Sequence, residues 1–278
     1  MIIGGKMKEI KFTKMSGAGN DFIVIDNYNK KINLTARQIE AICRRRFSVG
    51  ADGLIMIEKS FKNYDFYMRF FNNDGKEAEM CGNGGRCAAR FAYLKKHARK
   101  KMEFLAKDGP HKAIITKKNI AKLKMIEPFN MKLKIKLKIK NKIFTGHYLN
   151  TGVPHFVIFV KNLEKLDVYN LGREIRFHKF FAPHGTNVNF AQKINDIYFI
   201  RTYERGVEAE TYACGTGATA SAIIINKLTN EKSPIVLKAK GGLLKVFFKK
   251  DNSGYIDVWL EGPANIIYEG KLNKEATL

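Results

Sequence analysis

At 278 residues the chain has length for one large domain or two ordinary ones. Hydrophobic residues make up 45%, yet no apolar run approaches the roughly 20 residues that a bilayer-crossing helix requires, and "MIIGGKMKEI" lacks the apolar core of a secretory signal. The expectation is a cytoplasmic protein starting at Met1 or Met7, and the formal net charge of +24 rests on 38 Lys against 12 Arg, scattered rather than gathered, so no nucleic-acid partner is expected.

In chain order, "KEIKFTKM" reads as a first strand, "SGAGN" as a turn and "DFIVID" as a buried strand. "LTARQIEAICRRRF" offers a Thr cap and apolar residues at helical spacing, so it reads as a short helix. "GADGLIMIEK" and "YDFYMRFFN" read as strands. "GNGGRCAARFAYLKKHARK" reads as a helix entered through glycines, with basic residues at its end matching the helix dipole. "HKAIITKK" and "IAKLKMI" are strand-like. "MKLKIKLKIKNK" alternates with period two, which sets Leu and Ile on one face and Lys on the other, solvated one. In the second half, "NTGVPHFVIFV" is a glycine turn and a buried strand, and "GTNVNFAQ" and "DIYFIRTYE" are strands. "CGTGATASAIIINKL" is again a helix entered through glycines. "PIVLKAKGGLLKVFF" is a hairpin turning at Gly241-Gly242, and "GYIDVWLEG" is a last strand.

Two phrases recur. "GNDFIVI" from Gly19 matches "GVPHFVI" from Gly152, and "EAEMCGNGG" matches "EAETYACGTG"; 152 − 19 and 214 − 81 (Cys214 and Cys81) both give 133. Two anchors at one offset imply an internal duplication. The expected class is α+β: two pseudo-symmetric halves, 1–127 (with the tail 267–278 returning to it) and 128–266, each a mixed sheet or barrel around a central helix.

The cysteines are Cys43, Cys81, Cys87 and Cys214, with no Cys-x-x-Cys pair, so a zinc or dithiol redox module is not supported. Cys43 and Cys87 read as buried packing residues. Cys81 and Cys214 each stand immediately before a glycine-rich helix entrance. Free N–H groups there favour thiolate and can bind a carboxylate. Two such thiols facing one carbon from opposite sides suit racemisation or epimerisation: one removes the proton, the other returns one to the opposite face. Two helix N-termini on the carboxylate would stabilise the charge that develops.

The stretches "KMSGAGNDFIVID", "GADGL", "FNNDGKEAEMCGNGGRC", "NTGVPHFV", "TNVNF" and "YERGVEAETYACGTGA" closely resemble the diaminopimelate epimerases. Proline racemases and hydroxyproline epimerases carry His after the first Cys-Gly, which this chain does not. The resemblance implies a pyridoxal- and metal-independent enzyme, without cofactor, that interconverts LL- and meso-diaminopimelate for lysine and peptidoglycan precursors. It implies a homodimer with the active site in a cleft between the halves. Cys81 and Cys214 match the acid–base pair, with Cys214 the proton acceptor from the LL substrate and Cys81 the donor. Gly82, Asn83, Gly215 and Thr216 match binders of the reacting carboxylate. Asn20, Asn72, Asn187, Glu204 and Arg205 match contacts to the rest of the substrate, and His155 and Glu204 match groups that tune the thiols. Val153 stands where many members have Asn, and Gly53 where some have Gln.

Overall fold

The computed structural model describes residues 9–277; the candidate starts Met1 and Met7 lie outside them. The chain divides into two compact units, one running up to Leu123 and resuming at Pro263, the other spanning Lys124–Gly262.

In the first unit β1 (Ile10–Gly17) and β2 (Asn20–Asp26) form a hairpin. Its two-residue turn has Ala18 and Gly19 both at positive φ, 58° and 90°, the twist that suits a tight hairpin. The helix α1 (Ala36–Cys43) opens with a capping box: Thr35 Oγ1 accepts from Gln38 N, and Gln38 Oε1 accepts from Thr35 N. β3 (Gly53–Glu58), β4 (Phe66–Asn72) and the two-residue β5 (Glu77–Ala78) follow, then α2 (Gly82–Leu94), β6 (Lys101–Ala106), β7 (Gly109–Lys117) and β8 (Ile120–Lys124). β2–β3 and β4–β6 pair in parallel; the other neighbours are antiparallel.

In the second unit come β9 (Phe129–Ile139), β10 (Lys142–Asn150), β11 (Pro154–Phe159), α3 (Val168–Arg176), β12 (Asn187–Ile194), β13 (Ile197–Glu204), β14 (Ala209–Thr211), α4 (Gly215–Thr229), β15 (Ile235–Ala239), β16 (Gly242–Asp251) and β17 (Gly254–Pro263). The pairings repeat those of the first unit, with β11–β12 and β13–β15 parallel and the rest antiparallel. The chain then returns to the first unit as β18 (Asn265–Leu272), antiparallel to β1, as β9 is to β10. Each unit is therefore a mixed sheet with one parallel neighbour on each side of an antiparallel pair.

Each sheet is covered on both faces, which is why β3 is buried at every position and β2 over four consecutive ones. α2 and α4 are buried on all sides through Asn83–Ala92 and Ala218–Ile225. Small residues let the strands approach. Thr219 and Ser221 survive burial by donating to the carbonyls of Gly215 and Gly217 four residues back. On the other face α1 packs Ile39 and Ile42 against Ile23, Ile25, Leu54 and Met56, and α3 packs Val168 and Ile175 against Phe156, Val188 and Phe190. In β9 every lysine is exposed, and Leu137 and Ile139 are buried.

Three local readings need correction. α2 stops at Leu94, and no basic residue lies in its last turn: Lys96 is left-handed at φ 62° and turns the chain towards β6. The hairpin before β16 turns at Lys240-Gly241, with Gly242 already paired to Ala239. α3, β10 and β18 are elements the local pattern does not announce, and because β18 follows it "GYIDVWLEG" is not the last strand. Among the described residues no helix is long and apolar enough to cross a membrane.

Candidate active site

Both cysteines singled out by the repeat are helix N-caps with extended backbone: Cys81 at φ −88°, ψ 131° and Cys214 at φ −108°, ψ 113°. Neither side chain caps its own helix. Each sulfur is thus held at the positive end of a helix, of 13 and 15 residues respectively, where thiolate is favoured. Cys43 and Cys87 are different. Both are buried, and loss of solvation pushes each thiol up to about 12, so they stay protonated and inert.

In the first unit the tight hairpin turn delivers Asn20 to the helix entrance. Cys81 Sγ lies 3.9 Å from Asn20 Oδ1, and Asn83 Nδ2 donates to the same oxygen at 3.2 Å. Asn20 Nδ2 donates to Asp52 Oδ2 at 2.5 Å. Arg86, fully buried, donates to Asn83 Oδ1 at 2.8 Å and to Gly82 O at 3.2 Å. Gly82 has open space where a side chain would begin. Asn72 is exposed at the end of β4, opposite Gly53. At Gly53 a Cβ would stand 2.7 Å from the Phe70 ring and closer to Phe71 O, so this backbone has no room there for the Gln that some similar sequences carry.

In the second unit Cys214 is buried and lies 3.4 Å from Thr216 Oγ1. Glu204 accepts hydrogen bonds from Thr211 Oγ1, at 2.8 Å, and from the Cys214 thiol. Burial outweighs both bonds and raises this carboxyl above the ordinary range. A carboxyl of raised proton affinity thus lies in hydrogen-bond contact with Cys214. The Thr216 carbonyl accepts from Thr151 Oγ1 at 3.1 Å, tying the helix entrance to the β10–β11 turn. Asn187 Nδ2 donates to Pro154 O at 2.9 Å, and its Oδ1 accepts from Arg205 N at 2.8 Å. The Arg205 guanidinium makes no ion pair among the described residues; one nitrogen reaches His184 O at 3.4 Å. Val153 sits in the β10–β11 turn, where its carbonyl accepts from Thr151 N.

His155 is wholly buried. Loss of solvation, with the nearby Arg205 cation second, pushes its imidazole down to about 3, so it is neutral. Thr202 Oγ1 donates to Asn189 Oδ1 at 2.9 Å, and Asn189 Nδ2 meets His155 Nδ1 at 3.0 Å. With Nδ1 accepting, the ring proton sits on Nε2, a buried atom with no hydrogen-bond partner among the described residues. Asn189, Asp52, Arg86 and Thr211 were not singled out by the sequence; Asp52 and Asn189 meet their partners across 32 and 34 residues, Thr211 across 7, and Arg86 within its own helix. A testable consequence concerns acid. Below pH 6.5 the unfolded chain protonates this imidazole, whereas the folded chain resists down to about 3. Its stability contribution is full above 6.5 and falls by at most about 1.4 kcal/mol per pH unit below. Between pH 6.5 and 5 wild type should lose about 2 kcal/mol more than His155→Gln, read by urea unfolding; equal losses would refute this.

Among the described residues no three His, Cys, Asp or Glu side chains gather as a metal cluster.

This architecture defines a class, the two-unit α+β fold in which each sheet holds a buried helix. It is shared with a Bacillus anthracis protein of the phenazine biosynthesis PhzF family at TM-score 0.75 and 15% identity, over 96% of this chain and 100% of that one. It is shared also with a hydroxyproline epimerase from Agrobacterium vitis at TM-score 0.68 and 13% identity, over 96% and 93%. Within that class the chain belongs to the diaminopimelate epimerase family, whose sequence profile matches residues 12–129 and 147–267. It is 46% identical to the diaminopimelate epimerase of Hydrogenobaculum sp. (strain Y04AAS1), over 95% of this chain and 98% of that protein. It is 42% identical to that of Aquifex aeolicus (strain VF5), over 96% and 99%.

Proposed function

We propose that this protein is a cofactor-independent epimerase interconverting LL- and meso-diaminopimelate, with Cys81 and Cys214 as its two proton carriers. The observation that carries the reading is that both cysteines cap buried helices, within a family whose members bear that enzyme's name.

In the LL-to-meso direction the Cys214 thiolate takes the α-hydrogen as a proton and becomes a thiol, leaving the bonding pair on the α-carbon. Cys81–SH gives its proton to the opposite face and becomes the thiolate. No atom or electron is gained or lost overall, and the reverse reaction exchanges the roles. Glu204, bonded to the Cys214 thiol and of raised proton affinity, shares that proton and so readies the sulfur. The carbanion's charge spreads into the α-carboxylate, which the N–H groups of Gly82, Asn83, Gly215 and Thr216 would receive. Asn20, Asn72, Asn187 and Arg205 would hold the remainder of the substrate, with the Arg205 fork, which has no ion pair among the described residues, suited to a distal carboxylate. His155, neutral and a donor at Nε2, would act on a thiol by hydrogen bonding and not by charge. The reading includes a cytoplasmic homodimer working in lysine and peptidoglycan-precursor biosynthesis, without pyridoxal or metal.

Proton NMR in heavy water tests it. LL-diaminopimelate should incorporate deuterium at one α-carbon as the meso isomer appears; formation of meso product with full retention of the α-protium would sink the two-thiol scheme.

A further inference from the structure

The side chains beside Cys81 form a line that is directional at both ends. At one end stands Arg86, fully buried, whose guanidinium can only donate. It therefore compels Asn83 to present Oδ1 to it, at 2.8 Å, and to turn Nδ2 towards Asn20, at 3.2 Å. At the other end stands the Asp52 carboxylate, which can only accept. It compels Asn20 to present Nδ2 to it, at 2.5 Å, and to turn Oδ1 away. Asp52 is held in turn by Asp21 N at 3.1 Å and by the Arg45 guanidinium at 2.8 Å. Arg45 and the buried Lys14 both pair with Asp21. An amide alone could face either way, and reversing it costs little where its neighbours can both donate and accept. Here the two ends independently demand the same direction. The remaining face of Asn20 Oδ1 lies towards the Cys81 sulfur, 3.9 Å away.

We infer that Asp52 and Arg86 are positioning residues that lock the Asn83–Asn20 amide pair so that a carbonyl, not an N–H, faces Cys81. A carbonyl oxygen accepts from S–H and repels S⁻. It thus works against the helix terminus, which favours thiolate, and it keeps a proton on Cys81. The neighbours of Cys214 are of another kind: a hydroxyl that can donate to thiolate, and a carboxyl that can take the thiol's proton. The structure thereby assigns the resting proton to Cys81, the role of the thiol that delivers. This meaning for catalysis rests on the proposed function, whereas the locked amide does not.

The test reads Cys81 itself, by peptide-resolved iodoacetamide labelling of the full chain between pH 6 and 9. Iodoacetamide reports thiolate whether or not the protein epimerises anything, so failure of the proposed function leaves the experiment intact. The charged groups bonded into this region of the unit are Asp21, Asp52, Lys14, Arg45 and Arg86, with Asp108 accepting from Met80 N. Asp52→Asn can donate as well as accept, so it withdraws one of the two demands, and Asn83→Ala withdraws the other; either change alone should leave Cys81 labelling within about twofold of wild type, because the remaining end still holds Asn20. In Asp52→Asn/Asn83→Ala, Asn20 can turn its N–H₂ to the sulfur, and Cys81 should label about three- to tenfold faster at pH 7. Asp52→Glu/Asn83→Ala, which keeps an acceptor only, should hold the wild-type rate within about twofold. Asp21→Asn/Asn83→Ala removes the same charge from the same cluster without touching the Asn20 side chain, and should leave labelling unchanged. Unchanged labelling in a folded Asp52→Asn/Asn83→Ala would overturn the inference, as would equal acceleration in Asp21→Asn/Asn83→Ala, which would make the effect one of charge alone. Should the double variant fail to fold, Asn20→Ala removes the carbonyl outright and must give the same acceleration.

Discussion

Cys81→Ala and Cys214→Ala should each lose epimerisation by at least about a thousandfold, the upper part of what a positioned proton carrier contributes. The loss alone would not distinguish chemistry from damage, so the surviving sulfur provides the sharper result. With one thiol left, the protein can still remove the α-proton on that sulfur's face and return a solvent-exchanged one to the same face. Cys81→Ala, retaining Cys214, should wash deuterium into LL-diaminopimelate without forming the meso isomer. Cys214→Ala should do so with the meso isomer and not with LL. The same isomer exchanging in both variants would show that the two sulfurs do not divide the faces between them.

The second large effect lies in the glycines at the two helix entrances. At Gly217 a Cβ would overlap Asn189 Oδ1 and stand 3.3 Å from Cys214 Cβ. Asn189 cannot retreat freely, because it joins Thr202 to His155 in a buried chain. Gly217→Ala should cost about 1–3 kcal/mol of stability, as overpacking does, and should reduce turnover because the displaced side chains adjoin the thiol. Gly82 presents the opposite case: nothing lies within 4 Å of its Cβ position. Gly82→Ala should leave the unfolding midpoint nearly unchanged, within about 0.5 kcal/mol. If the open space receives the substrate's carboxylate, the added methyl should raise KM at least about tenfold while the fold is intact. A wild-type KM in Gly82→Ala would remove this glycine from the binding site.

How far the sequence could be read depended on whether a feature was local. The Thr35 capping box, the alternating lysines of β9 and the glycine-rich helix entrances are written within a few residues, and so is the cysteine at each N-cap. α3 is written less plainly because Gly172 stands inside it. That glycine is there for packing: a Cβ would come 2.5 Å from Tyr203 Cβ. β10 hides for the same reason, since any side chain at Gly146 would run into the Phe156 ring. The repeat held the missing signal. Adding 133 to the limits of α1 gives 169–176, against Val168–Arg176 for α3. The groups that orient the candidate site were beyond reach for another reason. Asp52 meets Asn20 across 32 residues and Asn189 meets His155 across 34, separations closed by parallel strand pairing and by no local pattern.

The placement of β18 bears on how the chain is made. On the edge away from β2, β1 pairs with Asn265–Leu272, and the buried guanidiniums of Arg86 and Arg90 reach the carbonyls of Pro263 and Ala264. The unit synthesised first therefore cannot complete its sheet until Asn265–Leu272, beyond the whole of the second unit, has been made. Lys124–Gly262 is continuous and has all its own strands in hand earlier. Synthesis runs from the amino terminus, but of the two units the one begun first is closed last, when β18 is laid against β1.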